Sequence, residues 1–300
     1  MNNKFYSIFA VFAAGLACLS CSEKDPVDPD RSVITIDKVE KNEFDLWLEA
    51  NYLTPYNIEF KYRYEQNESD LTYWTTPADY NGSVKMAHVV KYLCIDSYDE
   101  VAGINFTRKY FPKMFYLIGE WEFKSGGTYI LGTAESGKKI LLSGIDYFDK
   151  YSTNAEDLNH YYIKTVHHEF THILNQNIDY PQSFREISGD KYVGDDWNTT
   201  GDNLINGFIS KYARHSHKED FAELMSIYVT HTDAWWQEQI TAGNADSNTG
   251  GDIITTKIEV VRDYMLDNFN IDIDALRSAI LTRQKHLFSG KVDITDLTVR

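Results

Sequence analysis

Hydrophobic and polar residues alternate in the first half of the chain as they do in half-buried strands. Between residues 57 and 65 every second residue is apolar or aromatic, and this period of two predicts a strand. Short apolar runs predict three more strands, at 113–119, 128–133 and 138–142. The segment 84–97 instead has apolar residues at helical spacing. We therefore expect a mainly strand-forming first half.

After residue 157 the apolar positions recur every three or four residues, which predicts helices. The predicted helices are 158–177, 201–212, 219–230, 257–269 and 275–287. The stretch 241–252 is rich in Gly, Asn and Asp and predicts a long loop, or a subdomain boundary, before the last two helices. Strands followed by helices predict an α+β fold.

The first twenty residues differ from the rest of the chain. Lys4 is their only charged residue, and an apolar stretch at 5–19 precedes a polar segment, which predicts a signal peptide rather than a membrane span. Leu19-Ser20 before Cys21 resembles a bacterial lipobox, so we expect lipidation of Cys21; cleavage at Cys18, or ordinary secretion, is the alternative. The predicted organisation is a signal peptide at 1–20, a flexible tether at 21–35 and a globular domain at 36–300.

The charge balance restricts the possible partners. The chain has 45 acidic and 29 basic residues, for a formal net charge of −16 at pH 7. Loss of Lys4 with the signal peptide would change −16 to −17, and such a protein repels nucleic-acid phosphates. The acidic segment 22–25 resembles a surface-export signal of Bacteroidetes lipoproteins, which predicts an outer-membrane lipoprotein exposed at the cell surface. With Cys18 removed and Cys21 lipidated, Cys94 would be the one thiol, which excludes a cysteine-based zinc site.

The residues His168-Glu169-Phe170-Thr171-His172 carry the clearest chemical signal. Two histidines four residues apart on a helix project from one face and can bind one metal ion. Glu169 follows the first histidine by about 100° of helix rotation, which places its carboxylate where it can take a proton from a catalytic water. The same residues could instead lie on an exposed helix face without metal. His167 points away from the pair and is predicted to be a surface residue or an outer partner of the site.

A catalytic zinc site of this kind needs a third protein ligand. The class with a third histidine six residues after His172 is excluded, because Ile178 occupies that position. Glu186 is one candidate for this ligand, but it lies only fourteen residues after His172. It also precedes a Ser188-Gly189 pair, which would break the helix that should carry the ligand. Glu219 begins an amphipathic helix 47 residues after His172 and is the favoured ligand.

Glu219 also has a purely structural interpretation. Ser216 and Glu219 fit a capping box, in which the glutamate would bond the backbone at the start of the helix. Glu223, one turn later, could accept a hydrogen bond from a ligating histidine and fix its tautomer, or could be a solvated charge. The sequence alone leaves these alternatives open.

The pattern from Tyr212 to Glu223 resembles the gluzincin arrangement of the anthrax lethal factor type, in which a Tyr, a ligand Glu and a Phe-Ala-Glu segment recur at this spacing. More closely, the chain is similar to the substrate import-associated zinc metallohydrolase lipoproteins of Bacteroidetes, a family of zinc-binding metallopeptidases. The segments that carry this similarity are 44–47, 56–59, 131–135, 167–174 and 219–223. The family usually has Asn where Ser216 stands, a departure that affects a loop contact.

The resemblance implies a zincin-like metalloprotease fold, with a small mixed sheet, an active-site helix and a helical C-terminal half. It implies Zn²⁺ held by His168, His172 and Glu219, with Tyr212 stabilising the oxyanion and the strand at 128–133 as a sheet edge for an extended peptide. It also implies a peptide substrate, a lipid anchor in the membrane and an association with an outer-membrane import complex.

Two rival functions use the same residues. One is a surface lipoprotein that keeps zinc but binds a peptide or glycan without cleaving it, with Trp235-Trp236 as an aromatic platform. Adjacent residues of a helix point in different directions, so one tryptophan in the core and the other at its rim explains that pair better. Glu169 favours the enzyme, because a binding protein needs no base at that position. The other is hydrolysis of a non-peptide amide or ester, which the motifs do not distinguish from peptide cleavage.

Overall fold

The computed structural model describes residues 40–70, 72–124, 127–135, 137–199 and 201–299. The signal peptide, Cys21 and the tether predicted at 1–35 lie outside the described residues. The residues from Lys41 onward belong to one compact unit. Within the described ranges, no helix combines the length and the apolar character that a membrane crossing needs.

A four-stranded mixed sheet forms one wall of the site. Its strands are β1 (Glu59–Lys61), β2 (Met114–Leu117), β5 (Gly132–Glu135) and β6 (Lys139–Leu142). They lie in the order β1-β2-β6-β5, with the first three parallel and β5 antiparallel to β6 at the edge. Strands β3 (Glu122–Phe123) and β4 (Tyr129–Ile130) form a separate antiparallel hairpin that leads into β5.

The outer side of β5 presents backbone groups that pair with no other strand among the described residues. The N–H of Ser143 donates to the carbonyl of Leu131 at 3.1 Å, which fixes the hydrogen-bonding register of β5 with β6. Because bonded and non-bonded pairs alternate in an antiparallel ladder, the N–H and C=O groups of Gly132 and Ala134 point away from β6. β5 therefore has an open edge at these two residues.

Helices occupy more of the first half than the pattern predicted. A continuous helix at 43–56, α1, was not predicted; it consists of Glu43–Leu48, a π-helical turn Glu49–Leu53 and Thr54–Tyr56. Its buried residues include Phe44, Trp47 and Tyr52, which are large aromatics and suit a strand equally well by composition. The helix predicted at 84–97 is observed as the longer α2 at 80–102. It consists of Tyr80–Val89, a π-helical turn Val90–Ile95 and Asp96–Ala102. Helix α3 follows at Ile104–Tyr110.

The second half is helical, as predicted. After the short α4 (Phe148–Tyr151), helix α5 runs over 155–177 as Ala155–Leu158, a π-helical turn Asn159–Ile163 and Lys164–Asn177. The remaining helices are α6 (Gln182–Ser188), α7 (His217–Thr230), α8 (Asp233–Gly243), α9 (Gly250–Phe269) and α10 (Ile273–Phe288). Every residue of α7 from Asp220 to Thr230 is buried, and α7 packs against α5, α9 and α10. Helix α7 is therefore the centre of this half.

Two predictions in this half were wrong. The helix expected at 201–212 is a series of turns, because two Asn side chains bond the local backbone instead: the Asn203 amide donates to the Phe208 carbonyl at 3.1 Å and the Asn206 amide to the Asp202 carbonyl at 2.8 Å. The loop expected at 241–252 shrinks to 244–249. It is closed by the Asn244 amide, which donates to the Asp252 carboxylate at 2.9 Å.

Gly132 brings β5 against α5. A Cβ at this position would lie 2.6 Å from the carbonyl oxygen of Leu141 and 2.7 Å from Cγ2 of Thr165. Both neighbours are fixed, one by the sheet ladder and one by the active-site helix. The close approach therefore requires glycine.

We predict that Gly132→Ala lowers the free energy of unfolding by about 1–3 kcal/mol, because an overpacked contact must push β5 away from α5. Urea denaturation monitored by circular dichroism measures the change. Gly201→Ala is the matched control, since no atom lies within 4 Å of a Cβ built there. Equal stability of the two variants would contradict the close-packed position of β5.

Candidate metal centre

Helix α5 presents two histidines on one face. His168 and His172 are one turn apart on α5, and their Nε2 atoms are 3.1 Å from each other. His168 is almost completely buried and His172 partly so. The apolar positions Val166, Phe170 and Ile173 anchor the opposite side of the helix in the core, which fixes the direction of the histidine face.

Helix α7 brings Glu219 to the same point. Its Oε2 lies 3.0 Å from Nε2 of His168 and 3.1 Å from Nε2 of His172. The side chain of Ser216 caps α7 by accepting from the backbone N–H of Glu219 at 3.4 Å. The carboxylate of Glu219 turns to the histidines rather than back to the cap, so the serine half of the predicted capping box is present and the glutamate half is not.

The three atoms form an arrangement that suits a cation. Nδ1 of His168 lies 2.9 Å from Oε1 of Glu223, so its proton belongs there and Nε2 presents a lone pair. Lone pairs of two imidazoles and one carboxylate then converge within about 3 Å, which is unfavourable without a positive charge between them. Two ligand atoms on a tetrahedral zinc are about 3.4 Å apart, given bonds of about 2.0–2.1 Å. Two His and one Glu match the donor set of a catalytic zinc site.

The titration behaviour agrees with this demand for positive charge. Burial opposes the charged form of His168, but hydrogen bonds to Glu219 and Glu223 outweigh it and raise its pKa to about 10. Burial likewise opposes the charge of Glu219, yet its contacts with His168 and His172 hold the pKa of the carboxyl well below its usual range. The centre is thus built to hold a cation.

Glu223 is held by three partners beneath the histidine. Besides His168, the Nζ of Lys164 donates to its Oε1 at 2.9 Å and the hydroxyl of Ser210 donates to its Oε2 at 2.6 Å. Burial opposes its ionisation, but the charge of Lys164 and the bond to His168 keep its pKa well below the usual range. Lys164 and Ser210 were not predicted, although the position of Lys164 one turn before His168 was an available signal.

Glu169 lies beside the histidine face, with its carboxylate near the sheet edge. The outward N–H of Ala134 faces this carboxylate. Burial raises the pKa of Glu169 above the usual value, and the neighbouring His168 and His172 partly offset that effect. No local pattern predicts the approach of Ala134, because it depends on the register of β5 against α5.

Tyr212 lies next to His168, in a helical turn Tyr212–Arg214 that precedes α7. Its ring centroid is 6.0 Å from that of His168, and Trp197 packs edge-on against it at 5.1 Å. Burial and the nearby Glu219 and Glu169 carboxylates raise the pKa of the phenol well above its usual range. Tyr212 therefore stays protonated and can donate a hydrogen bond into the site.

The buried pair Asp220 and Lys257 fixes the start of α7. Nζ of Lys257 lies 2.6 Å from Oδ2 of Asp220, and both side chains are inaccessible to solvent. Lys257 also donates to the carbonyl of Gly207 at 2.7 Å, and the hydroxyl of Tyr192 donates to Asp220 at 2.9 Å. The pair joins α9 and the 192–207 segment to the residue beside Glu219.

The other candidates from the sequence lie elsewhere. Glu186 is exposed on α6 and does not join the histidines, and Gly189 ends that helix with φ of 50°. His167 is fully buried, 3.3 Å from the hydroxyl of Tyr98, so the prediction of a surface position was wrong; its apolar surroundings lower its pKa to about 3. Trp236 is buried and Trp235 packs on His231, as expected for a core and rim pair.

Comparisons with known proteins agree with this site. No curated protein matches the chain. A crystal structure described as "a putative zinc-binding metallo-peptidase from Bacteroides caccae" is 38% identical, with a TM-score of 0.73, and the match covers 89% of this chain and all of that one. The model of a family described as "Putative zinc-binding metallo-peptidase" matches residues 37–274. The chain therefore belongs to this family of zinc-binding metallopeptidases, and its cofactor is zinc.

Proposed function

We propose that this protein is a gluzincin-type peptidase in which His168, His172 and Glu219 hold the zinc ion and Glu169 is the general base. The observation that carries the proposal is the convergence of the three ligand atoms within 3.1 Å, with Glu169 directly after His168 on α5. The similarity of the Tyr212 to Glu223 segment to the anthrax lethal factor type supports it.

When bound, zinc polarises the scissile carbonyl and lowers the pKa of water to near neutrality. Glu169 takes a proton from the attacking water and passes it to the leaving amine. Glu223 keeps the proton of His168 on Nδ1, so that Nε2 remains free to act as a ligand.

Tyr212 supplies a neutral donor near His168. Its phenol is protonated at neutral pH because burial and the two acidic neighbours disfavour the phenolate. A donor at this position can stabilise the negative charge that develops on the carbonyl oxygen during attack.

The open edge of β5 suits an extended peptide. The outward N–H and C=O groups of Gly132 and the outward C=O of Ala134 can pair with a peptide backbone, as in other cases of strand addition. Ala134 also contacts the proposed base, so a peptide paired there passes directly beside Glu169. This proximity favours a peptide over a smaller amide or ester substrate.

We further propose that the enzyme acts at the outer cell surface, anchored by lipid on Cys21 and associated with an outer-membrane import complex. The support is the lipobox-like sequence before Cys21, the acidic segment 22–25 and the resemblance to import-associated lipoproteins. The task would then be to trim peptides before uptake.

Glu219→Ala should weaken zinc binding by more than ~100-fold, because an essential ligand is lost rather than one of its outer partners. Metal analysis after dialysis against a zinc buffer measures the loss. Glu186→Ala, which removes an exposed carboxylate of α6, should keep one zinc per chain. Full zinc retention by Glu219→Ala would refute the assignment of the third ligand.

Glu169→Gln should retain zinc but lower kcat for peptide cleavage by about 10²–10⁴-fold, because an amide cannot accept the proton of the attacking water. Cleavage of a fluorogenic peptide library measures the rate, with Glu156→Gln on the exposed side of α5 as the control. A wild-type protein that binds zinc and cleaves no peptide would favour a binding lipoprotein instead.

Tyr212→Phe should lower kcat by about 10²–10³-fold with little change in KM or zinc content, because the lost hydrogen bond forms in the transition state. Steady-state kinetics on one peptide substrate separate the two constants. Tyr64→Phe is the control, because Tyr64 is partly exposed and distant in sequence from Tyr212. A change confined to KM would assign Tyr212 to substrate binding.

A further inference from the structure

A group of aromatic side chains lies at the entry to the edge strand β5. We call Trp121, Tyr129, Tyr151 and Tyr161 the aromatic wall. The Trp121 ring centroid is 5.2 Å from that of Tyr129 and 5.7 Å from that of Tyr161, and the rings of Tyr151 and Tyr161 stack at 3.8 Å. Tyr129 is 37% exposed, and Tyr151 and Tyr161 are half-buried. Trp121 is buried at 7% exposure, so the solvent-accessible part of the wall consists of its three tyrosines.

The aromatic wall is held rigidly from behind. The Trp121 ring lies over Gly144, where a Cβ would be 2.2 Å from the indole, and it stacks on Tyr147 at 5.8 Å with nearly parallel planes. Nζ of Lys150 donates to the Tyr151 hydroxyl at 2.9 Å and sits 4.6 Å from its ring centroid. A fixed aromatic surface costs little conformational entropy when it binds a ligand.

The aromatic wall continues the line of the proposed peptide site. Tyr161, Thr165 and Glu169 follow each other at intervals of four residues along α5. The segment that leads through β4 into β5 runs beside them: Tyr129 shares the wall with Tyr161, Gly132 meets Thr165 and the N–H of Ala134 faces Glu169. The wall thus stands at the N-terminal end of β5, on the same side as the base.

The spacing defines which substrate residue reaches the aromatic wall. Eight residues of α5 separate Tyr161 from Glu169, a distance of about 12 Å at 1.5 Å per residue. An extended peptide advances about 3.3 Å per residue, so about four residues span this distance. A side chain three or four residues from the scissile bond would therefore meet the wall.

We propose that the aromatic wall is a specificity subsite that binds an aromatic or large aliphatic side chain of an extended peptide, three or four residues from the bond that is cleaved. This inference rests on the proposed peptidase function and its use of the β5 edge. Flat ring faces stack on aromatic side chains and exclude water from aliphatic ones. Exposed aromatic rings beside a backbone-pairing edge give a physical reason for this choice of residue.

The test uses the zinc-loaded protein and peptides derived from an all-alanine reference. In one set, Phe replaces Ala in turn at each of the four positions before the cleaved bond. In the other set, it does so at each of the four positions after that bond. The wild type should cleave the Phe peptide with at least ~10-fold higher kcat/KM at one position three or four residues away. Tyr161→Ala and Tyr129→Ser should reduce that ratio to about one, with cleavage of the all-alanine reference peptide retained. Trp74→Ala, which removes an exposed aromatic outside the wall, is the control and should keep the ratio.

Thermal melting identifies a variant that fails to fold, and Tyr129→Ser keeps the test valid if Tyr161→Ala unfolds, because Tyr129 is the more exposed of the two. A wild type with no Phe preference three or four residues away, or a preference unchanged in the folded variants, overturns the subsite. If the wild type cleaves none of the peptides, the peptidase proposal fails. Fluorescence anisotropy with the same labelled peptides then decides the subsite: tighter binding of the Phe peptide, lost in Tyr129→Ser, supports it, and equal binding overturns it.

Discussion

The structure depends on one contact, the approach of the Glu219 carboxylate to two histidine nitrogens on another helix. Helices α5 and α7 meet through their buried faces, and this packing places the three ligand atoms within 3.1 Å of one another. The Glu219 carboxylate and the lone pairs of two neutral imidazoles favour a positive charge between them, which a bound cation supplies. The rest of the second half holds these two helices in register.

Two buried ion pairs maintain that register. Lys164 and Glu223 join α5 to α7 directly below His168, and Lys257 and Asp220 join α9 to the first turn of α7. Burial raises the pKa of Asp220 to about 6 and lowers that of Lys257, so both charges are costly and depend on each other. Removing one partner of such a pair typically lowers the free energy of unfolding by about 3–5 kcal/mol. Each pair therefore holds together the elements that it joins near the metal centre.

The sequence predicted the parts of the site that depend on local periodicity. His168, Glu169 and His172 follow from helical spacing, and Glu219 follows from its place at the start of an amphipathic helix. The Ala134 contact and the Lys164 and Ser210 partners depend on how separate elements pack, which no local pattern records. The helix predicted at 201–212 does not form because the Asn203 and Asn206 side chains bond the backbone there, and α1 was missed because its buried aromatics suit strands as well as helices.

X-ray diffraction from crystals of the zinc-loaded protein, with data collected on both sides of the zinc absorption edge, tests the central claim most directly. The account predicts one strong anomalous peak bounded by Nε2 of His168, Nε2 of His172 and the Glu219 carboxylate, with Glu169 beside it and not coordinated. A peak at other residues, or one that lacks Glu219 among its ligands, would contradict it.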